Sequence, residues 1–278
     1  MTKTIGSAVL DATRQLSLAG IEGAHLDARI LMSSVLKVAP HQASLLGGNF
    51  LDKTQLERFG EVIQKRLSRV PVSHILGYRD FFEHRFFVTP DVLDPRPETE
   101  LLVVEALKKS FQNVLDLGTG SGCILLSLLA KNLSAQGLGV DISEAAIAVA
   151  RKNAKNLHLK NRANFSISNW FSNVEKQKFD LIIANPPYIH PNQLERLSPE
   201  VLKEPMMALT DNDDGLGSFK KIAMSAQKFM AVGARLVFEI GYDQGPLVAE
   251  LLNTNGFQDI RVVPDLNGCD RMITCCSK

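Results

Sequence analysis

Apolar side chains recur at helical spacing between residues 4 and 69, and this pattern predicts amphipathic helices. The recurring positions of the first two stripes are Ile5, Val9, Leu16 and Leu18, then Leu26, Ile30, Leu31, Val35 and Leu36. Asp52, followed three residues later by Gln55, predicts a capping box that begins a third helix. That helix would carry Leu56, Phe59, Val62, Ile63 and Leu67. We expect a helical domain over residues 1–70 that recognises a partner, because it contains no catalytic constellation.

Residues 71–97 change to an aromatic, β-rich pattern, which predicts a β-hairpin linker. Its aromatic run, from Phe81 to Val88, is followed by the turn-forming sequence Thr89-Pro90-Asp91. The next stretch, Asp94-Pro95-Arg96-Pro97-Glu98-Thr99-Glu100, restricts the backbone, and Pro97 suits the start of a helix. A stiff interdomain connector would explain these prolines, but it explains the charged Arg96 and Glu98 less well.

After residue 110, apolar runs of strand length alternate with helical patterns, which predicts a parallel sheet covered by helices. The candidate strands are Asn113 to Leu117, Gly137 to Asp141, Asn164 to Ser168, Phe179 to Ala184, Ala234 to Ile240, Phe257 to Val263 and Met272 to Cys276. Seven strands of this kind predict one doubly wound α/β domain over residues 98–278.

The overall composition narrows the class of protein. The chain has 278 residues, of which 45% are hydrophobic and 22% charged, and its net charge of +1 does not favour a nucleic-acid binder. We interpret the basic residues as a solvated face: Lys65, Arg66, Arg69, Arg79 and Arg85. The four cysteines include no Cys-x-x-Cys pair, so no metal site is predicted. A polar amino terminus and no apolar run of about 18 residues predict a cytoplasmic location without a membrane partner.

A glycine-rich loop follows the first predicted strand of the α/β domain. Its sequence is Asp116-Leu117-Gly118-Thr119-Gly120-Ser121-Gly122, and a helical run begins at Ile124. Glycines at a strand-to-helix turn let the backbone approach a ligand closely. The G-x-G-x-G spacing differs from the G-x-G-x-x-G of dinucleotide folds, so NAD is disfavoured.

Two further strand ends carry residues that suit a nucleoside. Asp141 ends the second strand, where its carboxylate could accept hydrogen bonds from both ribose hydroxyls. The alternative is that Asp141 caps the next helix, although Ser143 could fill that role. The third strand ends in Asn169-Trp170-Phe171, where an adenine could bond to the amide and pack on an aromatic ring. Trp170 could instead be a core residue.

The sequence Asn185-Pro186-Pro187-Tyr188 directly follows the apolar strand Phe179 to Ala184. Two prolines cannot donate to a sheet ladder, so the strand must stop there, at an edge where open α/β sheets bind ligands. The Asn185 amide oxygen, the Pro186 carbonyl and the Tyr188 ring together suit a planar group that bears NH2. A proline turn with a solvent-facing Asn is the alternative. The ordered signals at four successive strand ends favour a binding site.

With these motifs, the chain resembles the release-factor glutamine N5-methyltransferases, the PrmC/HemK family, across essentially its whole length. The matching stretches are residues 94–100, 114–124 and 185–188, Glu204-Pro205 with Ala208-Leu209, Asp214-Gly215-Leu216, Phe238-Glu239-Ile240-Gly241, and residues 265–271. The proline-rich stretch and the last motif are the most specific of these. The chain departs from the expected pattern at Asp94, Asn169 and Thr210-Asp211-Asn212.

The resemblance implies a class I methyltransferase fold with an antiparallel final strand, S-adenosylmethionine as cofactor and no metal. It implies that peptide-chain release factors 1 and 2 are the substrates, methylated on the glutamine of a Gly-Gly-Gln motif. Cofactor contacts are implied for Gly118, Thr119, Gly120, Ser121, Gly122, Asp141, Trp170 and Asn185. The glutamine would be bound by Asn185, Pro186, Pro187 and Tyr188, with Asn185, Pro186 and Tyr188 catalytic.

Two other functions remain compatible with the motifs. An adenine-N6 methyltransferase would present a similar planar NH2 to the same loop, but the near-zero net charge and the lack of a large target-recognition domain count against a nucleic-acid target. A cofactor-binding interaction protein without turnover would be expected to lose its strand-end acceptors, which are intact here.

Overall fold

The computed structural model describes residues 3–278. The chain divides into two compact units, one formed by the chain up to Gly77 with Ser198–Lys203, and the other by Tyr78–Leu197 with Glu204–Lys278. The helices are α1 (Ile5–Leu18), α2 (Ala24–Leu36), α3 (Pro40–Leu45), α4 (Lys53–Leu67), α5 (Val72–Leu76), α6 (Glu100–Leu107), α7 (Cys123–Lys131), α8 (Glu144–Asn156), α9 (Met206–Leu209), α10 (Gly217–Ala226) and α11 (Gly245–Thr254), with 3-10 turns at Pro97–Thr99, Pro191–Arg196 and Val201–Lys203. The strands are β1 (Tyr78–Phe81), β2 (His84–Phe87), β3 (Asn113–Leu117), β4 (Gln136–Asp141), β5 (Ala163–Ile167), β6 (Phe179–Ala184), β7 (Met230–Glu239), β8 (Gln258–Pro264) and β9 (Asp270–Cys276).

The first unit contains the three helices predicted from the apolar stripes, and the short α3 and α5 that the pattern does not predict. The buried face of α1 is Ile5, Ala8, Ala12 and Leu16. Leu18 is 90% exposed, so the prediction that it belongs to the apolar stripe of the first helix is wrong. It follows Leu16 by two residues, about 200° around a helix, and therefore points away from the core. Leu26 is exposed for a similar reason, because α2 buries Ala24, Ala28 and Leu31 instead.

The capping box that begins α4 is confirmed. The Asp52 carboxylate accepts a hydrogen bond from the Gln55 backbone N–H at 2.7 Å, and Gln55 Oε1 accepts one from the Asp52 backbone N–H at 3.1 Å. The interpretation of Arg66 as part of a solvated face is wrong, because its side chain is buried. It donates to Asp27 at 2.7 Å and to Glu200 at 2.8 Å. A buried guanidinium requires such partners.

The second unit is built on a seven-stranded sheet in the order β5-β4-β3-β6-β7-β9-β8. All neighbouring pairs from β5 to β7 are parallel, and β9 is antiparallel to both of its neighbours. Alternate residues of β6 enter two separate apolar clusters: Leu181 and Ile183 pack on one face, and Ile182 and Ala184 on the other. This alternation buries both faces of the strand under helices. The predicted doubly wound sheet is therefore confirmed.

The predicted hairpin is formed by β1 and β2, which pair in antiparallel register from Tyr78↔Phe87 to Phe81↔His84. Its two turn residues, Phe82 and Glu83, both have positive φ, at 43° and 66°. This geometry suits a two-residue turn between twisted strands, although glycine or asparagine is the usual choice. Among residues 3–278, no helix is long and apolar enough to cross a membrane.

Candidate active site

The parallel register of the sheet brings four strand ends to one edge. Leu117 at the end of β3 pairs with Val140 of β4 and with Ala184 of β6, and Ala184 pairs in turn with Phe238 of β7. The residues that follow these positions are Gly118, Asp141, Asn185 and Glu239. The glycine loop, the acidic strand end and the Asn-Pro-Pro-Tyr loop are thus neighbours in space, as their order in the sequence predicted.

A cavity of about 320 Å³ opens at this edge and lies wholly within the second unit. Eight of the predicted site residues line it: Gly118, Thr119, Gly120, Ser121, Asp141, Trp170, Asn185 and Pro187. Gly122, Pro186 and Tyr188 lie next to lining residues in the chain but do not line the cavity themselves. Its size is that of a small-molecule site.

The glycine loop exposes its backbone to the cavity, because few side chains cover it. The backbone N–H groups of Gly118 and Thr119 both donate to the Val140 carbonyl, at 2.8 and 2.9 Å. Gly120 has a φ of +54°, and a Cβ there would meet no atom within 4 Å, so this part of the loop faces open space. Gly122 serves packing instead, because a Cβ there would lie 3.2 Å from both Ala150 and Leu126.

Asp141 is held between the glycine loop and the following helix. One carboxylate oxygen accepts from the Gly120 backbone N–H at 2.9 Å, and the other accepts from the Ser143 backbone N–H at 2.9 Å. Ser143 is the N-cap of α8, since its hydroxyl accepts from the Ala146 backbone N–H. Burial raises the pKa of Asp141 despite these hydrogen bonds. The helix-cap alternative is therefore wrong, and a fixed carboxylate lines the cavity.

The two aromatic residues after β5 have different environments. Trp170 lines the cavity with φ at 51°, and its ring lies 3.7 Å from the place where a Cβ on Gly118 would be. Phe171 is buried and stacks on Phe229, with 4.7 Å between ring centroids. Asn169 is exposed at the rim of the cavity. Of the two rings, only Trp170 is placed to contact a ligand in this cavity.

The Asn-Pro-Pro-Tyr loop is fastened by three hydrogen bonds. Asn185 Nδ2 donates to Thr99 Oγ1 at 3.2 Å, and the Tyr188 hydroxyl donates to Glu239 at 3.3 Å. Gln244 Nε2 donates to the Tyr188 carbonyl at 3.1 Å. Burial, and then the charge of Glu239, raise the pKa of the Tyr188 hydroxyl. Tyr188 therefore stays a neutral phenol at physiological pH, and the loop is held through the side chains of Asn185 and Tyr188 and the Tyr188 carbonyl.

Glu204 joins the two segments that form the cavity rim, residues 91–96 and 205–212. Its carboxylate accepts from Arg96 at 2.7 Å and from the Asp94 backbone N–H at 3.1 Å. Arg96 thus forms an ion pair with Glu204. This pairing explains why the proline-rich stretch carries a positive charge, which a stiff interdomain connector alone would not require. The Asp94 side chain is buried and lies 3.8 Å from Arg79. At Thr210-Asp211-Asn212, side-chain oxygens accept from nearby backbone N–H groups where glycines were expected.

Comparison with known proteins supports the resemblance seen in the motifs. Residues 7–77 match the PrmC N-terminal domain model, and residues 91–214 match the methyltransferase small domain model. A release factor glutamine methyltransferase of Cereibacter sphaeroides is 42% identical over 264 residues, which cover 95% of each chain. The chain belongs to the release factor glutamine methyltransferase family. A relative of the same name from Caulobacter vibrioides is 37% identical, over 98% of this chain and 96% of its own length.

A solved structure agrees with the fold class. A methyltransferase from Pyrococcus furiosus superimposes with a TM-score of 0.54 at 14% identity, over 69% of this chain and 87% of that one. The class I methyltransferase fold, the helical amino-terminal domain and the antiparallel last strand expected from the sequence are confirmed. In this chain, residues of both the glycine loop and the Asn-Pro-Pro-Tyr loop line the same cavity.

Four residues at the site were not singled out from the sequence: Thr99, Glu204, Glu239 and Gln244. Three of them lie in stretches that carried the family resemblance, but no role was inferred for them. Glu239 offered one signal, since it is the one carboxylate in the otherwise apolar run Leu236 to Ile240. In a buried strand, such a group needs specific partners.

Asp116 provides a test of site electrostatics through pH. It is fully buried, accepts from the Thr119 hydroxyl at 2.7 Å, and has a pKa raised by burial to about 7. Because the folded pKa lies above the unfolded one, this group favours folding at low pH, and that contribution is lost as pH rises towards 7. Asp116→Asn does not titrate. We expect the free energy of unfolding of Asp116→Asn, relative to that of wild type, to rise by about 2 to 3 kcal/mol between pH 5 and pH 8.

The measurement is urea unfolding of both chains without cofactor across this pH range. A constant difference between the two chains at every pH would contradict a buried, titrating Asp116.

Proposed function

We propose that this chain transfers a methyl group from S-adenosylmethionine to the side-chain amide nitrogen, N5, of the glutamine in the Gly-Gly-Gln motif of peptide-chain release factors. The observation that carries the proposal is the state of Asn185 at the cavity. Its Nδ2 is committed to Thr99, so its Oδ1 is the group left to accept a hydrogen bond from a ligand. A substrate whose NH2 group lies beside Asn185 could donate a hydrogen bond to this oxygen.

The cavity suits the cofactor. The open glycine backbone at Gly120 leaves room for a ligand, Asp141 offers carboxylate oxygens to ribose hydroxyls, and the Trp170 ring gives a surface for adenine. Gly118, Thr119 and Ser121 complete the wall. When bound, S-adenosylmethionine supplies an electrophilic methyl group on a sulfonium.

The residues of the chain then act on the substrate amide. A carboxamide nitrogen is a poor nucleophile because its lone pair is delocalised into the carbonyl. Two acceptors, Asn185 Oδ1 and the Pro186 carbonyl, would hold the two N–H groups and favour a nitrogen that becomes tetrahedral as it attacks. Interactions that strengthen in the transition state accelerate the reaction. The rigid loop contributes further by aligning the nitrogen, and Tyr188 would cover the amide face.

Release factors 1 and 2 are the protein substrates in this proposal, without a direct nucleic-acid target. The relatives named release factor glutamine methyltransferase support the protein substrate, and the net charge of +1 supports the lack of a polyanion site. An adenine-N6 target would also present a planar NH2 to Asn185. Mass spectrometry of release factor incubated with the chain and S-adenosylmethionine distinguishes the glutamine target from the adenine target. The proposal requires one added methyl group on glutamine.

We also propose that the helical domain recognises the release factor as a folded protein. None of its described residues, from residue 3 onward, lines the cavity, and residues 7–77 match the PrmC N-terminal domain model.

Asp141 tests the cofactor assignment. Asp141→Ala should weaken S-adenosylmethionine binding by about 1 to 3 kcal/mol, because it leaves ribose hydroxyls and the Gly120 N–H without an acceptor. Isothermal titration calorimetry measures this directly. Glu144→Ala, which removes an exposed carboxylate three residues further on, is the matched control and should bind as wild type does. Equal affinity in all three chains would refute the ribose role.

The helical domain is tested by shortening the chain to begin at Tyr78. This chain should still bind cofactor and methylate a short Gly-Gly-Gln peptide, but it should methylate intact release factor poorly. The ratio of kcat/KM for the two substrates is the readout, with circular dichroism as the check of folding. A folded short chain that methylates intact factor as well as the full chain does would contradict the recognition role.

Asn185 tests the catalytic loop. Asn185→Ala removes one proposed acceptor but keeps both prolines, so turnover should fall by roughly 10² to 10³ in kcat while cofactor affinity changes little. Single-turnover methylation of release factor and calorimetry give the two quantities. Asn192→Ala, an exposed asparagine further along the chain, is the control. Wild-type turnover in Asn185→Ala would make the loop a structural turn.

A further inference from the structure

Thr99 sits between a buried carboxylate and the amide of Asn185. Its hydroxyl donates to Glu239 Oε2 at 2.6 Å, and its oxygen accepts from Asn185 Nδ2 at 3.2 Å. A threonine hydroxyl has a single proton. While Glu239 is a carboxylate, it accepts the hydrogen bond of that proton, and Thr99 can then only accept from Asn185. The carboxylate form of Glu239 therefore sets the direction of both hydrogen bonds in the series Glu239, Thr99 and Asn185.

The chain of hydrogen bonds is well shielded from water. Thr99 is 3% exposed and Glu239 is 2% exposed. Glu239 Oε1 meanwhile accepts from the Tyr188 hydroxyl at 3.3 Å, so one carboxylate anchors two residues of the Asn-Pro-Pro-Tyr loop. Burial raises the pKa of Glu239, while the hydrogen bond from Thr99 and the charge of Arg271 oppose that shift. A buried carboxyl group is destabilising unless it is well partnered.

We propose that Thr99 and Glu239 are positioning residues that hold the Asn185 side-chain amide in the orientation needed to accept from the substrate NH2. This inference rests on the proposed function, since it assumes a ligand that donates to Asn185. Neither residue touches the reacting atoms in this role. They act through Asn185, and Glu239 also through Tyr188.

The physical reason lies in the symmetry of an asparagine side chain. Its oxygen and NH2 ends have nearly the same shape, so packing alone does not choose between the two orientations. In the flipped orientation Asn185 would present NH2 to the NH2 of the substrate, and two donors cannot pair. A fixed acceptor at Thr99 makes the flipped form unfavourable, because Oδ1 would then face an oxygen whose proton is already used.

The test begins with Thr99→Val, which keeps the shape of the side chain and removes its hydroxyl. We expect kcat on a Gly-Gly-Gln peptide to fall about tenfold, with unchanged affinity for S-adenosylhomocysteine by calorimetry. Thr99→Ser restores the hydroxyl and should restore most of the turnover. Thr274→Val, the same change at a buried threonine of β9, controls for packing and should keep wild-type turnover.

A second readout does not depend on turnover. In a chain labelled with 15N-asparagine, the side-chain NH2 signals of Asn185 are identified by their absence from Asn185→Ala. Thr99→Val should shift these signals, because the Nδ2 hydrogen bond is lost, whereas Thr99→Ser should leave them near their wild-type positions.

A double-mutant cycle then separates positioning from general damage. If Thr99 acts through Asn185, Thr99→Val should lower kcat little further when Asn185 is already Ala. Glu239→Gln keeps an acceptor towards Thr99 and should lose less turnover than Thr99→Val does. Independent, multiplicative losses from Thr99→Val and Asn185→Ala, or wild-type turnover in Thr99→Val, would overturn the inference. An inactive wild-type chain would instead contradict the proposed function itself.

Discussion

Parallel pairing of β3, β4, β6 and β7 is the constraint on which the site depends. The register places the carboxyl ends of these strands side by side at one edge of the sheet. Short motifs that are far apart in the sequence therefore line one cavity. β6 lies at the centre of this arrangement and is buried on both faces. A shift of one residue in its pairing would exchange its two apolar faces and move Asn185 away from Gly118. The core therefore fixes the position of the chemistry.

The loop beyond β6 has a second layer of constraint. Two prolines limit its backbone, Gln244 holds the Tyr188 carbonyl, and the Cβ of any other residue at Gly215 would lie 2.7 Å from that same carbonyl. Thr99 and Glu239 then act on the side chains. The backbone and the side chains of the loop are thus fixed by different groups, and preorganisation of this kind leaves little to rearrange during methyl transfer.

Much of this architecture could be predicted from the sequence because its signals are local. The capping box of α4, the seven strands and the glycine loop each depend on residues within one element, and the structure moves their bounds by a few positions only. What could not be predicted depends on distant partners. Thr99 and Glu239 are 140 residues apart, and the Arg66 and Glu200 pair is 134 residues apart. No periodicity along the sequence shows that such distant polar residues will meet and be buried.

The place of β9 has a consequence for how the second unit assembles. β8 precedes β9 in the chain, yet β9 lies between β7 and β8 in the sheet. During synthesis β8 therefore emerges with no strand to pair with, and the edge of β7, which ends at Glu239, stays open until β9 has been made. An open, apolar edge of a sheet invites pairing with other chains. The strand beneath the active site therefore stays open to pairing with other chains until the last strand of the sheet has been made.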